Sequence, residues 1–155
     1  FPYTTLFRSR LPLAGGTRLE TPPPERAAGH DRMALVVCGA HLAGLPLNDQ
    51  LLARGGQLLQ ETRSAPHYRL YALADGKRPA MVRDESGGAA IAVEVWELPS
   101  AEVGSLLAAI PAPLGLGKVE LADGRRLTGF ICEAEGLGEA TEITAYGGWR
   151  AWLAR

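Results

Sequence analysis

The stretch VVCGAHLAGLPLN at 36–48 holds the densest candidate chemistry in the chain. The apolar run MALVV just before it reads as a buried strand that ends at Cys38 and Gly39. A strand running into a glycine leaves the next backbone N–H groups free and lets an anion approach closely. His41 stands two residues further on, and a neutral imidazole takes or gives a proton near pH 7. Gly39, Ala40 and His41 therefore form a candidate carboxylate-binding loop with its own general acid or base. The same residues also fit a tight turn whose histidine caps a backbone carbonyl. Cys38 would be a nucleophile if His41 held it as a thiolate. On an extended strand, however, side chains three apart point to opposite faces, which favours a small buried hydrophobe.

Two further clusters carry polar chemistry on strands. In AIAVEVWEL at 90–98, Ile91, Val93 and Val95 take one face, and Ala92, Glu94, Trp96 and Leu98 the other. A buried Glu94 must be paired, hydrogen-bonded or shifted in pKa, any of which suits a ligand pocket. On an outward face, Glu94 and Glu97 are simply solvated. In HYRLYAL at 67–73, His67, Arg69 and Tyr71 share a face, with Tyr68 and Leu70 between them. A planar guanidinium beside a phenol suits carboxylate recognition; an ordinary edge strand reads the same way. His67 follows Pro66 and His30 falls in a linker, so neither is a strong catalytic candidate. No GxSxG, GxxxxGK[ST] or HExxH pattern occurs, and the two cysteines lack zinc spacing. No metal or cofactor is expected.

The elements that must position these residues follow from periodicity. Asn48 can cap a helix running to Arg63, with Leu51, Leu52, Leu58 and Leu59 on one face. Gly55 and Gly56 cost that helix roughly 1 kcal/mol each relative to alanine, so either another backbone packs there or the helix breaks. Strands are expected in HYRLYAL, in AMVRD after Pro79, and in AIAVEVWEL. Ser100 caps a helix carrying Val103, Leu106, Leu107 and Ile110 at helical spacing. KVEL and RRLTGFIC form a hairpin around Asp123-Gly124, and AYGGWRAWLA packs a short helix onto the body. Short turns join most strands, which points to an α+β fold, a small mixed β-barrel with helices packed outside.

The chain has 155 residues and a net charge of -1, consistent with one domain and a tail. Lys and Arg are dispersed among Asp and Glu, so no nucleic-acid partner is implied. No apolar run approaches the roughly 20 residues that span a bilayer, and no secretory leader pattern is present, so a cytoplasmic chain without a membrane partner is expected. Residues 10–32, with Pro22, Pro23 and Pro24, read as a disordered linker. FPYTTLFRS at 1–9 equals the in-frame translation of a common sequencing-adapter end. On that reading biological sequence begins near Arg10 and the linker leads back toward a missing partner domain.

GAHLAGLPLN, YRLYAL, AAIAVEVWELP, IPAPLGLGKVELADGRRLTGFICEA and ITAYGGWRAWLA, in that order, resemble the C-terminal domain of allophanate hydrolase. The resemblance covers residues 33–155 and implies a gamma-glutamylcyclotransferase-like fold. It further implies decarboxylation of N-carboxycarbamate, a small dicarboxylate-like substrate, next to an N-terminal amidase domain whose nucleophile signature is absent here. His41 takes the catalytic role, and Gly39, Ala40, Asn48, Tyr68, Arg69 and Glu94 the substrate-binding one. The LDxxEG stretch of the cyclotransferases does not occur; IPAPLGLG occupies that region. Two alternatives stand beside this one: a gamma-glutamylcyclotransferase-like enzyme, which needs a carboxylate beside Gly39, and a non-catalytic domain that assembles the amidase, for example as a homodimer.

Overall fold

A computed structural model describes residues 31–155; the adapter-like start, the proline-rich segment and His30 lie outside the described residues. The apolar run after Asp31 forms β1 (Arg32–Val37), the central strand of a five-stranded sheet. It pairs antiparallel with β5 (Ala92–Pro99), Val37 lying opposite Glu94, and parallel with β7 (Arg126–Cys132). β2 (Gln57–Arg63) and β6 (Leu114–Glu120) form the edges, in the order β2-β5-β1-β7-β6. A second sheet, ordered β4-β3-β8, joins β3 (Tyr68–Ala72), β4 (Pro79–Arg83) and β8 (Thr141–Glu142).

The fold is thus mixed α+β, but no closed barrel is found among the described residues. The two edges of the larger sheet meet only where β2 and β6 end. There Ser64 bridges Leu121, Ala65 N–H donates to the Glu120 carbonyl at 2.9 Å, and Ala122 N–H donates to the Arg63 carbonyl at 3.0 Å. β2 is bulged between Leu58 and Gln60, and a bulge bends a strand out of a regular ladder.

The expected helix from Asn48 to Arg63 is corrected. α1 spans Asn48–Leu52, and Leu58 and Leu59 lie exposed on β2. Gly55 adopts φ +71, a left-handed conformation that stops a helix. At Gly56 an added Cβ would fall 2.6 Å from the Leu51 carbonyl oxygen, so only glycine lets the chain fold straight back. Nor does Asn48 cap α1: it is the first helical residue, after Leu47, and its buried side chain turns to the preceding loop. Ser100 likewise begins α2 (Ser100–Ala108) without a side-chain cap bond. Leu106 is buried and Val103 and Ile110 pack on the same core, while Leu107 faces solvent.

Both faces of β5 are covered: Val93 and Val95 are buried on one, Glu94, Trp96 and Leu98 on the other. That is the pattern of a strand inside a layered sheet rather than one with a wet face. The β6–β7 hairpin turns at Gly124 (φ +86), and α3 (Trp149–Leu153) ends the fold with Trp149 buried in the core. Tyr68 links the two sheets: its buried hydroxyl accepts the Glu120 N–H at 2.8 Å.

Two glycines give a stability test. In β7 a Cβ on Gly129 would lie 2.8 Å from Val36 Cβ and from Val119 Cγ2, whereas Gly104 in α2 has nothing within 4 Å. Urea denaturation should show Gly129→Ala destabilised by about 1–3 kcal/mol through overpacking. Gly104→Ala should be stabilised by up to about 1 kcal/mol through helix propensity.

Candidate active site

The loop after β1 is irregular backbone that binds itself. Leu42 N–H donates to the Gly39 carbonyl, Leu45 N–H to Leu42, and Leu47 N–H to Ala40, each at 2.9 Å. Asn48 Nδ2 adds a 3.0 Å bond to the His41 carbonyl. Glu94 Oε2 accepts the Ala43 N–H at 2.8 Å. Ala40 and His41 N–H groups donate to no acceptor among the described residues.

His41 is held from two sides. Its ring stacks on Phe130 of β7, centroids 4.8 Å apart and planes 25° from parallel. Its Nε2 lies 3.1 Å from Gln50 Oε1 on α1. In the neutral ring the Nε2–H tautomer donates to Gln50 Oε1 and leaves Nδ1 as acceptor, whereas the protonated ring donates from both nitrogens. Burial pushes the imidazole below its ordinary value; the Gln50 hydrogen bond opposes this and the charge of Arg54 adds to it.

The ring borders a cavity of about 110 Å³ lined by residues 37–41, Leu47, Gln50, Arg78, Pro79, residues 109–111 after α2, Leu114 and Phe130. Arg78 is its one cationic side chain among the described residues, and no carboxylate lines it. Sequence reading missed Arg78. It follows the turn at Asp75 and Gly76, where Gly76 adopts φ +65, and the turn itself fixes it. Asp75 Oδ1 accepts the Lys77 and Arg78 N–H groups, and Asp75 Oδ2 accepts Arg78 Nε at 2.5 Å. Gln50 carried no sequence signal either, because its contact with His41 depends on how the 39–47 loop turns back onto α1. Cys38 borders the same cavity, but burial pushes its thiol up to about 12, so it is no thiolate nucleophile at neutral pH.

Of the other sequence candidates, only Gly39 and Ala40 border this cavity. Asn48 supports the loop from beneath. Tyr68 spends its hydroxyl on the Glu120 N–H and on Arg83 at 3.4 Å. Arg69 is engaged by Asp84 at 2.6 Å and by both oxygens of Glu142 at 3.0 Å, and does not border the cavity. Those carboxylates raise the guanidinium pKa, the Asp84 hydrogen bond most. Glu94 is buried, 3% exposed, and opens toward a different cavity of about 430 Å³ beside Trp149 and Arg150. His41, Arg69 and Glu94 therefore do not converge.

Residues 33–154 match the sequence profile of the allophanate hydrolase C-terminal domain. The chain belongs to that family. The urea amidolyase of Saccharomyces cerevisiae is 39% identical over 125 residues, 77% of this chain. The chain spans only 7% of that relative's length. The crystal structure of Kluyveromyces lactis allophanate hydrolase superposes with a TM-score of 0.75 at 36% identity, covering 79% of this chain and 21% of the other. The crystal structure of c4763, a uropathogenic E. coli-specific protein, gives 0.77 at 36% identity, covering 81% of this chain and 98% of that one. Among the described residues of this domain, no helix is long and apolar enough to cross a membrane.

The lowered pKa of His41 has a thermodynamic sign. Below about pH 6.5 the unfolded imidazole takes a proton that the folded one refuses. Its contribution to stability is whole above about 6.5 and is lost as pH falls toward the lowered folded value. A titration of the His41 ring by NMR should give a midpoint below about 6.5, and Gln50→Leu should lower it further by removing a bond to the charged form. A midpoint at or above the ordinary value contradicts the site as described.

Proposed function

We propose that the His41 cavity decarboxylates N-carboxycarbamate, the second half of allophanate breakdown. The observation that carries this reading is that His41 and Arg78 border one small cavity without any carboxylate. N-carboxycarbamate carries two carboxylates on one nitrogen, and Arg78, His41 and Gln50 place a few polar groups for such a compact dianion on the wall of an otherwise largely apolar cavity. Arg78 pairs with one carboxylate, and the unpartnered Ala40 and His41 N–H groups receive an anionic oxygen. As the C–N bond to the other carboxylate breaks, carbon dioxide leaves and the bonding pair stays on nitrogen. His41 delivers its proton to that nitrogen, so that carbamate remains. The lowered pKa makes the protonated ring a stronger acid and leaves less of it present at neutral pH.

On this reading the substrate comes from an amidase acting on allophanate, in keeping with the names of the allophanate hydrolase and urea amidolyase relatives. A cyclotransferase role is not favoured, because it requires a carboxylate beside Gly39 and Glu94 opens to the other cavity.

The test is decay of N-carboxycarbamate generated in place by a separate amidase. The parent chain should accelerate carbon dioxide release, and His41→Ala should lose about 10²–10⁴-fold of that acceleration. Arg78→Met should chiefly raise KM, as expected for a group that binds ground and transition state alike. Equal rates for parent and His41→Ala would sink the proposal.

A further inference from the structure

Glu94 is left without a role by the cavity chemistry, yet it is the one buried carboxylate among the described residues. Each of its oxygens is taken. Oε2 accepts the Ala43 N–H at 2.8 Å and the Trp96 indole N–H at 2.9 Å. Oε1 accepts Arg150 Nη2 at 2.7 Å. The same Nη2 donates its second hydrogen to the Ala43 carbonyl, also at 2.7 Å. Ala43 is therefore gripped at both its N–H and its C=O, two residues after His41. The grip joins β5, in the middle of the sheet, to α3, at the end of the chain.

The fold does not need this arrangement to bury α3. Trp149 already anchors that helix in the core, and the Arg150 side chain is half exposed. What the pair does fix is the path of the loop that carries His41 against Phe130 and Gln50. We propose that Glu94 and Arg150 are positioning residues for His41, a clamp by which the last helix sets the geometry of the catalytic loop. The catalytic part of this inference rests on the decarboxylation reading above; the positioning part does not.

The experiment uses the full chain and reads His41 directly. Stacking on Phe130 displaces the His41 ring-proton NMR signals through the ring current. In Arg150→Met those signals should move toward unstructured values, and the Ala43, Leu45 and Leu47 amides should exchange about tenfold faster. Exchange of the β3 and β4 amides should stay at the parent rate, and Arg150→Lys should recover part of the His41 displacement. Where decarboxylation is present, Arg150→Met should lower kcat about tenfold with KM within about twofold. Unmoved His41 signals would overturn the proposal, and so would exchange that rises uniformly through the chain, which marks a role in stability alone. Glu94→Gln should repeat the pattern; if it does not fold, the two Arg150 variants decide. A parent chain with no His41-dependent decarboxylation refutes the proposed function, while the ring signals still settle the clamp.

Discussion

A backbone that leaves a sheet must find new partners for its N–H and C=O groups or lose the free energy of burying them unpaired. β1 meets this constraint at its carboxyl end, deep inside the fold, and much of the local structure follows from how it is solved. Three short backbone bonds knit residues 39–47 into consecutive turns. Two buried polar side chains, Asn48 from α1 and Glu94 from β5, supply bonds the loop cannot make for itself. Neither side chain is at ease in an apolar core, and each is satisfied only by this loop and its neighbours.

The second sheet is brought to the same place by a contact without polarity. A Cβ on Gly39 would lie 2.0 Å from Pro79 Cγ, so the loop and the start of β4 press together with no room for any other residue. Pro79 follows Arg78 directly, and the packing of one glycine on one proline thereby carries a cation to the His41 cavity. The proline also fixes the turn side of β4, where a free N–H would be of no use to the ladder.

Much of this was legible in the sequence, and the failures have definite physical causes. The central strand, the clear alternation of AIAVEVWEL, and the Asp123-Gly124 turn are local patterns, and they appear where expected. The helix to Arg63 was misread because Leu51, Leu52, Leu58 and Leu59 recur seven apart, a spacing that a broken helix and a bulged strand mimic equally well. The two glycines between them were the true signal. Arg69 looked like a carboxylate binder and is one, but its carboxylates are the protein's own, Asp84 and Glu142, drawn from distant positions that no local pattern pairs. Arg78 escaped notice for the converse reason: it is tied to its own turn, and only tertiary packing shows what lies on its far side. Glu94 was recognisable as a charge on a buried face, but which cavity that face meets depends on α3, the last element of the chain.

Both native thiols, Cys38 and Cys132, are buried and free. Burial raises the pKa of both Cys38 and Cys132, Cys38 to about 12. At neutral pH the fraction of Cys38 present as thiolate is on the order of one in 10⁴ or less. Thiol-directed reagents therefore meet very little Cys38 thiolate in the folded domain. A cysteine introduced on the exposed face of β2 or α2 would be the dominant reactive sulfur, so a spin label or fluorophore could be attached there without first removing either native residue.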